Sequence, residues 1–108
     1  MEAQLTKNFI KAAIDAETES AKKNWGPTYA SEHEAWAVLR EEIEEADEEQ
    51  KTIQYCSEAL WHAIRNGNEQ ERSKSCLAYI LEHAQNLATE AVQIAAVAQK
   101  YLDTLEEA

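Results

Sequence analysis

Leu60-Trp61-His62-Ala63-Ile64-Arg65-Asn66-Gly67-Asn68-Glu69-Gln70-Glu71 decides how this chain folds. Gly67 is the only glycine after Pro27, and it can take the left-handed conformation that ends a helix. Asn68-x-x-Glu71 fits the cap of a new helix. Upstream, Ile53, Leu60, Trp61 and Ile64 keep helical spacing towards Arg65. Downstream, the pattern runs from Glu69 to the last residue without Gly or Pro. Leu77, Ile80, Leu81, Ala84, Leu87, Ala88, Ala91, Ala95, Ala98 and Leu102 form one broad stripe, with Ile94, Val97 and Tyr101 beside it. The segment Ile94 to Ala98 is therefore apolar nearly all round. Two long helices joined at Gly67 make an antiparallel hairpin.

Reading back from the hairpin, its first helix has a legible start. Ser31-x-x-Glu34 fits a capping box. Trp36, Leu39, Ile43 and Ala46 follow, and the seam thins around Gln50, where a break would fall. Before that, Trp25-Gly26-Pro27 stops an N-terminal helix running from Glu2 to about Asn24. Leu5, Phe9, Ala12 and Ala16 line one of its faces, and Ile10 and Ile14 another. Two apolar faces predict a helix sandwiched between partners. A helix of roughly 35 residues is about 50 Å long. One shorter helix cannot cover two such helices, so a second chain is expected to complete a bundle. The expectation is one all-α domain over residues 1–108: a helical hairpin plus an N-terminal helix, bundled by dimerisation.

Composition agrees. The chain has 108 residues, with 2 Gly, 1 Pro and 44% hydrophobic residues. Asp and Glu number 21 against 10 Lys and Arg, a formal net charge of -11. That field repels nucleic acid and anionic membranes and favours cations, basic proteins or substrates that arrive with metal. No apolar run is long enough to span a bilayer, and Met1-Glu2-Ala3-Gln4 does not open a signal peptide. A cytoplasmic location is expected. Cys56 and Cys76 are too few for a disulfide framework and are expected to be reduced.

The chemistry lies in Arg40-Glu41-Glu42-Ile43-Glu44-Glu45-Ala46-Asp47-Glu48-Glu49. Acidic runs on helices are most often solvated faces. Here, however, Glu42 and Glu45 are three apart and project from one side, and Glu42 adjoins the apolar seam. Glu45 precedes Gly67 by 22 residues and Glu90 follows it by 23; Glu42 precedes it by 25 and Gln93 follows it by 26. With a constant rise per residue, all four reach similar heights in a hairpin. Oxygen ligands gathered this way suit Mg²⁺ or Mn²⁺. Height alone leaves rotation about the helix axes open. Trp25, Tyr29 and Trp36 are candidates to stack on a base, although single aromatics on apolar faces usually belong to a core. His83, seven residues before Glu90, is a candidate support for the site. Lys22 and Lys23 suit the C-terminal end of the first helix, with phosphate binding as the sharper alternative.

Ser31 to Glu45, with Glu41-Glu42-x-x-Glu45, followed by Glu90-Ala91-Val92-Gln93, resembles the MazG-like all-α nucleoside triphosphate pyrophosphohydrolases. The resemblance covers about residues 29 to 101. It implies hydrolysis of a nucleoside triphosphate to the monophosphate and pyrophosphate. Glu42, Glu45, Glu90 and Gln93 would hold Mg²⁺, or Mn²⁺, with Glu41 as catalytic base or ligand. Trp36 and Lys100 are the candidate nucleotide contacts, and a homodimer or homotetramer is expected. Gln93 stands where the family has Asp, and the segment between the motifs is longer than usual. After Gln93, Lys100 is the only basic residue where the family often has a phosphate-gripping segment. Two readings from other classes stay open: a non-catalytic binding or assembly module of this fold, and an acidic decoy for a basic protein.

Overall fold

The structure, a computed structural model, describes residues 2–67 and 69–107. The described residues form three α-helices joined by short loops: α1 (Glu2–Trp25), α2 (Glu32–Arg65) and α3 (Gln70–Glu107). The fold is all-α, and α2 and α3 pair antiparallel as the hairpin reading required. No helix among the described residues is long and apolar enough to cross a membrane.

The boundaries follow local chemistry. Gly26 and Gly67 both have positive φ, 96° and 68°, a region that costs most side chains a clash. The Ser31 hydroxyl accepts the Glu34 backbone N–H at 3.1 Å, and the Ser31 carbonyl accepts the Ala35 N–H. One half of the capping box is thus in place. At α3 the first helical carbonyl is that of Glu69, which accepts from Ser73 at 3.0 Å. Asn68, expected to cap this helix, lies outside the described residues. The thin seam at Gln50 does not interrupt α2, which is continuous from Glu32 to Arg65. Helix propensity and i,i+4 pairs such as Lys51–Asp47 at 2.8 Å sustain that stretch.

Two compact units divide the chain: residues Met1–Ile43 with Glu90–Ala108, and residues Glu44–Thr89. The second contains the Gly67 turn. Its buried residues are Cys56, Ala63 and Cys76, and both thiols are free. His83 Nδ1 meets Glu49 Oε2 at 2.5 Å and stacks on Tyr79. Glu49 lies 18 residues before Gly67 and His83 lies 16 after, as constant helical rise demands. His83 serves this pairing within the second unit.

The first unit packs α1 with the first part of α2 and the last part of α3. Ala35 and Ala96 are buried, where small side chains let helices approach closely. Thr18 is buried too, its hydroxyl satisfied by the Ile14 carbonyl at 2.7 Å. The Tyr29 N–H donates to the Thr104 hydroxyl, and the Tyr101 hydroxyl donates to Glu32. The N-terminal part of α1 is not sandwiched within the chain: Leu5, Phe9 and Ile10 are exposed. Conversely, Ile94, Ala95, Val97 and Ala98 are half-buried and Ala96 is fully buried. The segment expected to need a second chain is largely covered by this one.

Lys22 clamps α1 to α3 through a 2.6 Å salt bridge to Asp103. Here Lys22 does more than balance the dipole of its helix. The Lys22 hydrogen bond, then that from Gln99, holds the Asp103 carboxyl below the ordinary range. The same Asp103 bond raises the Lys22 ammonium above its usual value. A depressed carboxyl stabilises the fold above its unfolded pKa, and loses that contribution as pH falls through the folded value. A raised ammonium stabilises below its unfolded pKa, and loses that contribution as pH rises through the folded value. The clamp therefore works from mildly acidic to strongly basic pH. Lys22→Met should melt below wild type at neutral pH, and the gap should close as pH falls through the depressed Asp103 value, where the clamp is lost in wild type too. Melting curves across that range check it; a gap independent of pH would assign the loss to packing.

Candidate metal centre

Glu42 stands on α2 one turn before Glu45, and α2 is unbroken there, so helical geometry alone puts both on one side. Glu90 comes from α3. One oxygen from each of these three carboxylates lies within 4.8 Å of the other two. Hard divalent cations bind oxygen at roughly 2.0–2.6 Å, so one ion can touch oxygens up to about 5 Å apart. Three carboxylates this close also repel one another unless positive charge lies among them. The donors are all oxygen, which suits a hard divalent cation over zinc or copper. Glu42 and Glu90 are half-buried, Glu45 is exposed, and Glu90 keeps its Oε2 away from water. The Glu42, Glu45 and Glu90 group can bind a metal ion.

Beside it, within the first unit, is a cavity of about 350 Å³. Glu42, Gln93, Trp25, Tyr29, Val97 and Lys100 are among its walls. Lys100 is only 3% exposed, and its Nζ sits 4.3 Å from the centroid of the Tyr29 ring. A buried cation is costly, and an aromatic face offsets part of that cost. The Tyr29 hydroxyl is pushed above its usual pKa by burial first, then by the charges of Glu34 and Glu42. This end of the first unit therefore has a negative wall, a buried cation and two aromatic surfaces.

The other anticipated residues are placed as follows. Gln93 hydrogen-bonds across to α1: its Nε2 donates to Glu17 Oε1 at 3.0 Å. Glu41 is exposed. Trp36 is 60% exposed and lines a separate depression with Glu32, His33 and Tyr101. Trp25 is 82% exposed, so neither tryptophan is the core residue that its apolar spacing suggested. Sequence reasoning missed Glu17 and Glu34. Glu17 is 76 positions from Gln93, and no local signal in the chain joins them.

The chain is thus an all-α, three-helix protein with a carboxylate group able to hold a metal ion. It matches no protein-family model, and neither a curated protein nor a solved structure is significantly similar to it.

Proposed function

We propose that this protein hydrolyses nucleoside triphosphates to the monophosphate and pyrophosphate, with Mg²⁺ or Mn²⁺ held by Glu42, Glu45 and Glu90. The observation that supports this is the convergence of those three carboxylates. They are the residues singled out by the resemblance of Glu41-Glu42-x-x-Glu45 and Glu90-x-x-Gln93 to the MazG-like enzymes. Bound there, the ion would neutralise phosphate charge and lower the pKa of a water. Lys100, buried beside the cluster, would hold a phosphate oxygen by a charge-assisted hydrogen bond. Trp25 and Tyr29 offer flat apolar faces to a base in the same cavity. Glu41 is the candidate base and Trp36 a further nucleotide contact. Incubating the protein with a panel of nucleoside triphosphates and Mg²⁺ or Mn²⁺ tests the reading. Pyrophosphate should be released from at least one of them, and none from any at high protein concentration refutes it.

A second reading is a non-catalytic binding module. Gln93 favours it, because an amide brings no charge to the cluster and is already engaged by Glu17. Under that reading Mg²⁺ with nucleotide raises the melting temperature while the nucleotide stays intact.

We also propose that the protein is a homodimer or homotetramer. Leu5 and Phe9 on α1 are 58% and 68% exposed, and Trp61 and Leu81 in the second unit are 57% and 64% exposed. The buried hydrophobic residues among the described ones are only Ala35, Cys56, Ala63, Cys76 and Ala96. A chain with so little core gains most by covering such side chains with a second copy. Light scattering at micromolar concentration should return at least twice 12.2 kDa. A clean monomer would exclude both assemblies.

A further inference from the structure

We propose that Glu17, on α1, is a positioning residue of the metal centre, orienting the Gln93 amide so that its oxygen serves as a fourth ligand beside Glu42, Glu45 and Glu90. The inference rests on the metal reading above and extends it to the first helix. Gln93 Nε2 donates to Glu17 Oε1 at 3.0 Å in a half-buried setting. A carboxylate only accepts hydrogen bonds, so the amide nitrogen must face Glu17 and the amide oxygen must face away. Without that anchor the two ends of the amide could exchange. Gln93 follows Glu90 by three residues, on the same side of α3. It lines the same cavity as Glu42.

A second, independent feature marks that cavity as a place for a ligand. Lys100 is more than nine-tenths buried, lines the cavity, and has its Nζ over the Tyr29 ring. A lysine lining the cavity next to a carboxylate cluster fits an anion that arrives with its cation. In that setting the Glu17 hydrogen bond has an electronic consequence too. An N–H bonded to a carboxylate polarises the amide and makes its oxygen a stronger donor to a cation. Glu17 thus gives a neutral glutamine part of the character of a carboxylate. An aspartate at 93 would instead set two negative charges against each other.

The test is a calorimetric Mn²⁺ titration of wild type, Glu45→Gln, Glu17→Ala, Gln93→Ala and the Glu17→Ala/Gln93→Ala pair. Melting curves without metal accompany it. Glu17→Ala should weaken Mn²⁺ binding about tenfold, as the loss of a ligand's supporting partner does. Gln93→Ala should weaken it comparably, and the double variant no further than Gln93→Ala alone. Glu17→Gln removes the charge with little change of shape. It should lose about threefold, because a second amide permits both orientations of Gln93. Should the alanine variants not fold, the comparison of Glu17→Gln with wild type decides, and equal affinities overturn the inference. No Mn²⁺ binding by wild type removes the metal reading itself. Binding lost in Glu45→Gln but unchanged in Glu17→Ala leaves the metal reading standing and overturns the role of Glu17. An equal loss from Glu17→Ala with and without Gln93 reduces Glu17 to a distant charge and likewise overturns it.

Discussion

Glu42→Gln should weaken Mn²⁺ binding by about 100-fold or more and, without metal, raise the melting temperature. Both effects follow from charge. Glu42 is a half-buried member of the three-carboxylate group and also lines the adjacent cavity. Hard cations lose affinity with each carboxylate removed from a preformed site. Losing a supporting partner alone typically costs 10- to 100-fold, so losing a ligand should cost at least the upper figure, about 100-fold. In the metal-free protein the same carboxylate is held near two others, and removing its charge relieves repulsion. The opposite signs matter, because a variant that merely unfolds would lose metal and melt lower together. Calorimetry with Mn²⁺ and melting with and without metal measure both. Equal affinities would leave the acidic run as a solvated face.

Lys100→Met should weaken binding of a non-hydrolysable nucleoside triphosphate with Mg²⁺ by roughly 10- to 100-fold. That range corresponds to one hydrogen bond to a charged group, about 1.5–3 kcal/mol. Methionine keeps much of the lysine stem and removes only the charge. Lys100 is buried with its Nζ over the Tyr29 ring, and an apolar side chain of similar length avoids the desolvation cost of a charge there. The variant should therefore fold and melt at or above the wild-type temperature. Its Mn²⁺ affinity without nucleotide should be unchanged or tighter, since a nearby positive charge has gone. An unchanged nucleotide affinity would show that Lys100 faces no phosphate and is a packed structural lysine.

Features set by neighbouring residues were legible from the chain. Gly67 turns the hairpin with positive φ, Ser31 caps α2 through its hydroxyl, and Gly26 ends α1. Each depends on contacts within a few positions. The heights of Glu42, Glu45 and Glu90 were legible as well, because helical rise converts sequence separation into distance along an axis. Within each unit the pairings of Glu49 with His83 and of Glu32 with Tyr101 obey the same conversion.

Which way each side chain points, and which helix it meets, was decided elsewhere. The chain alone gave Trp36 and Ile43 an apolar seam, yet they are 60% and 42% exposed. It gave Lys100 no sign of burial, yet Lys100 is 3% exposed and lines a cavity with residues of α1 and α2. It offered no hint that Glu17 would meet Gln93. Periodicity states that a helix has faces, but the rotation of that face towards a neighbour is set by how the helices pack. The amino-acid sequence by itself therefore determined three helices, their ends and the level at which the carboxylates meet. Only tertiary packing decided which of them point inward, that a cation is buried beside them, and that α1 reaches the site, because those outcomes depend on contacts between residues far apart in the chain.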